Sequence, residues 1–379
     1  MKYNKIFYLL FQLAMIPCLA QVTFVIHQYP EKTIDKEVFI TGNFDGWSGG
    51  KDFRLNKTEN GHLIITLPKF KFQLEYKFTQ GSWDTVETAI DGSDIENRIY
   101  VFQKEKDTVL LKIEGWKNKN LKQPHTKTNN VILLTEGIAN DPSNLKNRKI
   151  WAYLPPDYHK NSKDYRVIYM HDGQNLFDAQ TSFSGEWQVD ELMNELYESH
   201  QLEAIVIGID NGGEKRIDEY TPWVNKKYGG GKADEYLDFI ITQVMPIVEK
   251  DLRVKKGSEN TAIMGSSLGG LVSYYAALQR PDQFGKIGVF SPSFWYSEEI
   301  SAFTSLNGNI KNQKMYFMAS YKEDPDARTV KDSEVTIKNL MAAGYPEKNI
   351  QSKFVQEGNH NELLWKQEFK EAVLWLFKN

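Results

Sequence analysis

From Val22 to about Trp116 short apolar runs alternate with polar positions, at Val22–Val25, Val38–Ile40, His62–Ile65, Glu75–Phe78, Arg98–Val101 and Thr108–Leu111. A period of two broken by Gly, Asn and Asp predicts a small all-β sandwich over residues 21–116. Residues 117–130 are polar, rich in Lys, Asn and Thr, carry Pro124 and show no apolar period, which predicts a linker. After Asn130 the rhythm changes. Apolar runs at Lys149–Leu154, Val167–His171, Ala204–Asp210, Thr261–Met264, Lys286–Phe290 and Met315–Ala319 alternate with helical patterns at Glu186–Glu198, Ala233–Lys250, Leu268–Leu278, Val330–Met341 and Glu362–Phe377. Unbroken runs such as Ala204–Ile209 belong to strands covered on both faces, so residues 131–379 are predicted to form an α/β domain with a mostly parallel sheet flanked by helices. Ligands of such sheets gather at the carboxyl ends of the strands.

The first twenty residues follow another pattern: Lys2 and Lys5, then an apolar stretch from Ile6 to Ala20 broken by Gln12. This predicts a secretory leader cleaved after Ala20 and a periplasmic or secreted location. Its apolar part is shorter than the roughly twenty residues that span a bilayer, and no later stretch approaches that length, so no membrane span is expected in the mature chain. The single cysteine, Cys18, leaves with the leader, which excludes both a disulfide and a thiol nucleophile. With 46 Lys and Arg against 50 Asp and Glu among 379 residues, no footprint for a phosphate backbone exists, and nucleic acid is not an expected partner. Aromatic residues make up 13% of the chain, a supply of rings on which sugars and acyl groups stack.

The strongest chemical signal is Gly265-Ser266-Ser267-Leu268-Gly269 between an apolar strand and a helix. A serine in Gly-x-Ser-x-Gly on a sharp strand-to-helix turn presents its hydroxyl above the sheet edge, and the flanking glycines give the turn room. Ser267 is therefore the candidate nucleophile; Ser266 is one place short of the turn and is expected to point away. The hydroxyl needs a base oriented by a carboxylate. Of seven histidines, His360 stands in a turn between an apolar run ending at Val355 and the last helix, and the order Ser, acid, His suits such a sheet. The loop after Met315–Ala319 offers Glu323, Asp324 and Asp326 as the acid; Glu323 is preferred, with Asp324 in reserve. Backbone amides of Leu268 and of Gln174, in the loop His171–Asn175, are the expected oxyanion donors, and His171 is expected to hold that loop by hydrogen bonds. No metal-ligand spacing and no phosphate-binding loop occurs, so no cofactor is expected; Gly229-Gly230-Gly231 reads as a flexible surface loop.

Five motifs in order, Tyr153–Tyr158, Tyr169–Asp178, Gly265–Gly270, Ser291-Pro292-Ser293-Phe294-Trp295 and Gly358–Glu362 with Trp365, make residues from about Asn130 to Asn379 resemble the putative esterase family of α/β hydrolases. That family includes feruloyl and acetylxylan esterases, S-formylglutathione hydrolases and enterochelin esterases. The resemblance implies a serine carboxylic ester hydrolase with Ser267 as nucleophile, His360 as general base and Glu323 as acid, although Ser320 stands where the family has a glycine. The Ser-Pro-Ser-Phe-Trp segment is closer to the enterochelin-esterase-like branch, and Trp295 either lines an acyl or aryl pocket or packs beneath it. Residues from about Val22 to Trp116 resemble starch- and glycogen-binding β-sandwich modules through Val38–Trp47, Tyr76–Phe78, Gly81–Trp83 and Asn97-Arg98. There the resemblance implies a glucan site at Trp47 and Lys77, but a second stacking tryptophan is replaced by Gly92. Polysaccharide contact and a purely structural role both stay open. The expected substrate is an acyl or aryl ester of a carbohydrate; a catecholate trilactone siderophore, or glycan binding by a degenerate hydrolase, are the alternatives.

Overall fold

The structure is a computed structural model that describes residues 21–378 apart from 34–35, 46, 51, 71–72, 93–94, 96, 104–105, 118–124, 138–147 and 183–184. The expected leader, Gly46 and Pro124 lie outside the described residues. The described chain falls into two compact units, one ending at Lys117 and the other beginning at His125.

The first unit is built from short antiparallel strands, with one parallel pair between Gln21–Gln28 and Lys106–Lys112. A four-stranded sheet contributes Val22, Phe24 and Ile26, and a three-stranded sheet contributes Ile40, Tyr76 and Phe78, to one apolar core in which the Phe24 and Tyr76 rings are 4.7 Å apart. Alternation along each strand puts these residues on a single face, which is what the period of two in the sequence encodes.

The second unit contains an eight-stranded sheet: β1 (Val131–Thr135), β2 (Ile150–Tyr153), β3 (Arg166–His171), β4 (Ala204–Ile209), β5 (Thr261–Ser266), β6 (Lys286–Phe290), β7 (Lys314–Ser320) and β8 (Ile350–Val355), in the order β1-β2-β4-β3-β5-β6-β7-β8. The first two strands are antiparallel to their neighbours, and β4 through β8 run parallel. Successive residues of one strand enter opposite cores: Ile205, Ile207 and Ile209 pack on one side, Ala204 and Val206 on the other. Both faces are buried, and hence the run is apolar throughout.

The second face is covered by α1 (Val189–Glu198) and, at the chain's end, by a sixteen-residue helix Glu362–Phe377. The first is covered by α2 (Leu268–Gln279), by the segment 233–251, and by α3 (Arg328–Ala343). The C-terminal helix is α4 below. Residues 233–251 form a continuous helical run as expected, but with a π turn at Ile240–Val244 in its middle. The Gly229-Gly230-Gly231 stretch is not a free loop. Gly229–Gly230 pairs antiparallel with Val224–Asn225, and the hairpin is fastened by Asn225 Nδ2 to the Tyr296 carbonyl (2.7 Å) and by the Tyr296 hydroxyl to the Gly229 carbonyl (2.8 Å). Glycine there supplies the positive φ of the returning strand rather than mobility.

Candidate active site

β5 ends at Ser266, α2 starts at Leu268, and Ser267 forms the whole turn between them at φ 58° and ψ −121°. A residue with a Cβ adopts this backbone at a cost of about 1–3 kcal/mol, so the surroundings must hold it there. They do so through Ser267 N–H to the Phe290 carbonyl (2.9 Å) and Ser293 N–H to the Ser267 carbonyl (3.1 Å). Two nearby glycines leave no room for a side chain: a Cβ on Gly265 would lie 2.9 Å from the His171 ring, and one on Gly270 would lie 2.7 Å from the Phe290 carbonyl oxygen. Ser266 is buried at 5% exposure, whereas Ser267 is half-buried with its Oγ 3.2 Å from Ser293 Oγ. The first N–H to bond within this turn of α2 is that of Leu271, to the Ser267 carbonyl, so the amide of Leu268 belongs to the unpaired first turn of a helix, where negative charge is stabilised.

The loop after β3 packs on the start of α2: a Cβ on Gly269 would stand 3.4 Å from His171 Cβ and 3.6 Å from Asp172 Oδ2. His171 is buried, with Nδ1 2.8 Å from the Tyr236 hydroxyl, and desolvation pushes its pKa down to about 3, so it is a neutral packing group near neutral pH. Asp172 takes a left-handed backbone (φ 56°) and turns the chain into a short 3-10 segment, Gly173–Asn175, that carries Gln174. Its carboxylate is clamped by Arg216 Nε (2.7 Å) and Nη2 (2.8 Å) and by Asn211 Nδ2 (2.6 Å), while the Tyr220 hydroxyl accepts from the Asp172 amide (3.1 Å). Burial alone would raise the Asp172 carboxyl, but the Arg216 charge and these hydrogen bonds outweigh it and leave its pKa below the ordinary value. The Gln174 side chain accepts from the Asn211 amide (3.2 Å), and Asn175 Nδ2 donates to Glu362 at the start of α4 (3.0 Å). Arg216, Asn211 and Tyr220 have no motif of their own in the sequence. A buried aspartate after a strand is the signal that some cation must be near.

Glu323 and His360 are brought together: Glu323 Oε2 lies 3.5 Å from His360 Nδ1. Glu323 is buried at 1% exposure, and Oε2 also accepts from Ser291 Oγ at 2.6 Å. The neighbouring Asp324 faces another way and caps α3, accepting from the amides of Arg328 (2.5 Å) and Thr329 (2.8 Å). At Ser320, which stands where a glycine is expected, the Oγ accepts the Lys322 amide (3.2 Å) and the residue is fully buried. The His360 ring stands edge-on to Trp365, 5.2 Å between centroids at 87°. Ser267 and Glu323 thus meet the two ends of one short segment, Ser291-Pro292-Ser293.

Trp295 lies on the next 3-10 segment, Phe294–Tyr296. Phe294 and Tyr296 are buried, and Trp295 is 39% exposed, with Tyr228 edge-on at 5.9 Å and Arg328 Cζ 5.9 Å above the ring. The ring is partly exposed and also packs against Tyr296, 5.8 Å between centroids.

In the first unit Asp45 builds the turn that carries Trp47: its carboxylate accepts from Thr41 Oγ1 (3.0 Å) and from the amides of Gly42 (2.8 Å) and Trp47 (3.0 Å). Trp47 and Trp83, both half-buried, lie 5.9 Å apart, and Trp83 Nε1 donates to the Trp47 carbonyl. Lys77 is mostly buried at 8% exposure, opposite Thr41 in the strand register. The ring beside Trp47 is therefore that of Trp83.

Among the described residues one trio of carboxylates could hold a metal ion: oxygens of Glu186, Asp190 and Glu191 lie within 4.8 Å of one another. Asp190 is fully buried and accepts the Thr128 amide (2.7 Å). Burial raises Glu186 to about 7, and burial with a hydrogen bond to Asp190 raises Glu191 to about 8, so these two glutamates favour their protonated forms there. A carboxyl whose folded pKa lies above its unfolded value stabilises the fold in acid, and that contribution is lost as pH rises through the folded pKa. Glu191→Gln, a permanent mimic of the protonated form, should raise the melting temperature at pH 8.5 and leave it unchanged at pH 5.

The mostly parallel sheet flanked by helices, with the strand–serine–helix turn at its carboxyl edge, is an α/β-hydrolase fold, preceded by a β-rich domain. The chain belongs to the family described as "Putative esterase", whose model matches residues 143–376, and it is a carboxylic ester hydrolase. It is 28% identical over 243 residues to the uncharacterized protein YbbA of Bacillus subtilis (strain 168), spanning 61% of this chain and 93% of that protein. It is 26% identical over 236 residues to an endo-1,4-beta-xylanase/feruloyl esterase of Xylanibacter ruminicola, spanning 60% of this chain but 29% of that larger protein. The crystal structure of enterochelin esterase from Shigella flexneri superposes with a TM-score of 0.54 at 14% identity, covering 94% of this chain and 92% of that one. Siderophore hydrolase EstA from Aspergillus nidulans gives 0.52 at 20%, covering 65% and 94%. At these identities the two structures speak for the fold alone. Among the described residues no helix is long and apolar enough to cross a membrane.

Proposed function

We propose that the protein is an exported serine esterase that works through an acyl-enzyme on acyl or aryl esters of carbohydrates. The observation that carries the chemistry is Ser267 at φ 58° on the strand–helix turn, one short turn away from a buried carboxylate paired with His360. In the reaction His360 takes the Ser267 proton as Oγ attacks the ester carbonyl. The resulting oxyanion is held by the Leu268 and Gln174 amides. The alcohol then leaves with the proton from His360, and water repeats the sequence on the acyl-enzyme. Glu323 orients the imidazole and balances its charge when protonated. No metal or cofactor enters these steps.

The carbohydrate reading is supported by the feruloyl esterase relative and by the Trp47–Trp83 pair, a tilted aromatic surface of the kind on which sugar rings stack. Trp295, exposed beside Tyr228, suits an aryl acyl group. Export rests on the apolar leader that ends at Ala20. A panel of feruloylated arabinose, acetylated xylan, a catecholate trilactone and p-nitrophenyl acetate tests the substrate class. The expected result is kcat/KM at least about tenfold higher for the feruloylated sugar than for the trilactone. Cleavage of the trilactone with the glycan esters untouched would instead make this a siderophore esterase, a reading that Trp295 beside Tyr228 also suits.

A further inference from the structure

Ser291 and Ser293 are buried at 0% and 2% exposure, and neither has a role in the mechanism above. Ser293 meets the nucleophile through its amide and its hydroxyl; Ser291 meets the acid. Ser291 also sits at φ 42°, a left-handed backbone that a serine adopts at a cost, and its amide is fixed to the Met318 carbonyl at 2.7 Å. Its hydroxyl proton has a defined direction. Trp365 Nε1 donates to Ser291 Oγ at 2.8 Å, and an indole N–H can only donate, so the one proton of Ser291 is left for Glu323 Oε2 at 2.6 Å. The oxygen it holds is the one that faces His360, while Glu323 Oε1 has no hydrogen-bond partner among the described residues. The same indole packs edge-on against the His360 ring.

We infer that Ser291 is a positioning residue for the triad: with its proton direction set by Trp365, it aims the Glu323 carboxylate at His360 and ties the acid to the turn that grips Ser267. This rests on the serine-esterase reading above and extends it to a residue that touches neither substrate nor nucleophile. Without the hydroxyl the carboxylate keeps its burial but loses a charge-assisted hydrogen bond of the stronger kind, and it is free to swing toward the unpartnered side. The imidazolium that forms during attack then lacks its aligned partner, while ground-state binding of the ester is untouched.

The test compares Ser291→Ala with Ser291→Gly on p-nitrophenyl acetate, with active sites counted by fluorophosphonate titration. Glycine favours the left-handed backbone and offsets part of the stability lost with the hydroxyl, so S291G should melt higher than S291A while sharing its loss of the hydroxyl, which separates that loss from loss of folding. The expected result for both variants is a kcat per titrated site about 10–100-fold lower, with KM within about twofold of wild type. Trp365→Phe, which frees the Ser291 rotor, should lower kcat in the same direction by a smaller factor. Wild-type kcat per titrated site in S291G would overturn the inference. A wild-type protein that neither turns over the ester nor takes the titrant would instead defeat the serine-esterase reading itself.

Discussion

Ser267→Ala should lower kcat/KM for p-nitrophenyl acetate by about 10⁴-fold or more and leave the melting temperature nearly unchanged. The size follows from the way the triad acts as a unit: without the attacking oxygen, the base and acid have nothing to activate, and only binding and the oxyanion donors remain. The unchanged stability follows from the backbone. Alanine keeps the Cβ and hence the strain of φ 58°, and the bonds that hold the turn, from the Ser267 amide and to its carbonyl, do not involve the hydroxyl. Kinetics and a thermal melt on the same preparation check both halves.

The second large effect lies away from the nucleophile. Arg216→Ala should destabilise the fold by about 3–5 kcal/mol near neutral pH, because it leaves the Asp172 carboxylate buried without its cation. The pH dependence has a definite sign. In the wild type the depressed Asp172 pKa means that the pair contributes fully above the ordinary carboxylate range and is lost as pH falls through the folded value. In the variant a protonated Asp172 tolerates burial better, so the gap to wild type should narrow as pH drops below about 5. Asp172→Asn on top of Arg216→Ala should recover part of the loss at pH 7. Activity should fall as well, since this clamp holds the turn that carries Gln174. Denaturant melts at pH 7 and pH 4.5 measure all of this.

Sequence made the sheet legible wherever a strand is covered on both faces, as in Ala204–Ile209, and made the strand–serine–helix turn legible because Gly265 and Gly270 have no room for a Cβ beside His171 and Phe290. The C-terminal helix was readable to its ends, with Asn361 at its start accepting the Leu364 amide. Other features were not readable, for physical reasons. Glu323 and Asp324 are adjacent carboxylates in one loop, and what separates them is where each side chain turns: one toward His360, the other onto the first turn of α3. The edge strand Val131–Thr135 is short, partly exposed and follows directly on a polar segment, so its pattern is weak. The helix Glu299–Asn307 buries only Ile300 and Thr304 and carries little periodic signal. Trp83 stands 36 positions from Trp47, and the 5.9 Å approach of the two rings is a long-range contact that no local pattern records. Arg216 reaches Asp172 across 44 positions, a pairing that no local pattern records.

The whole mechanism requires that residue 267, and not its buried neighbour, carries the covalent intermediate. Treating the wild-type protein with a fluorophosphonate and locating the adduct by peptide mass spectrometry tests this most directly. A single phosphonyl group on Ser267, absent from Ser266 and from the Ser267→Ala protein, is the predicted result. Ester hydrolysis by a protein whose Ser267 stays unlabelled, or labelling that survives Ser267→Ala, would contradict it.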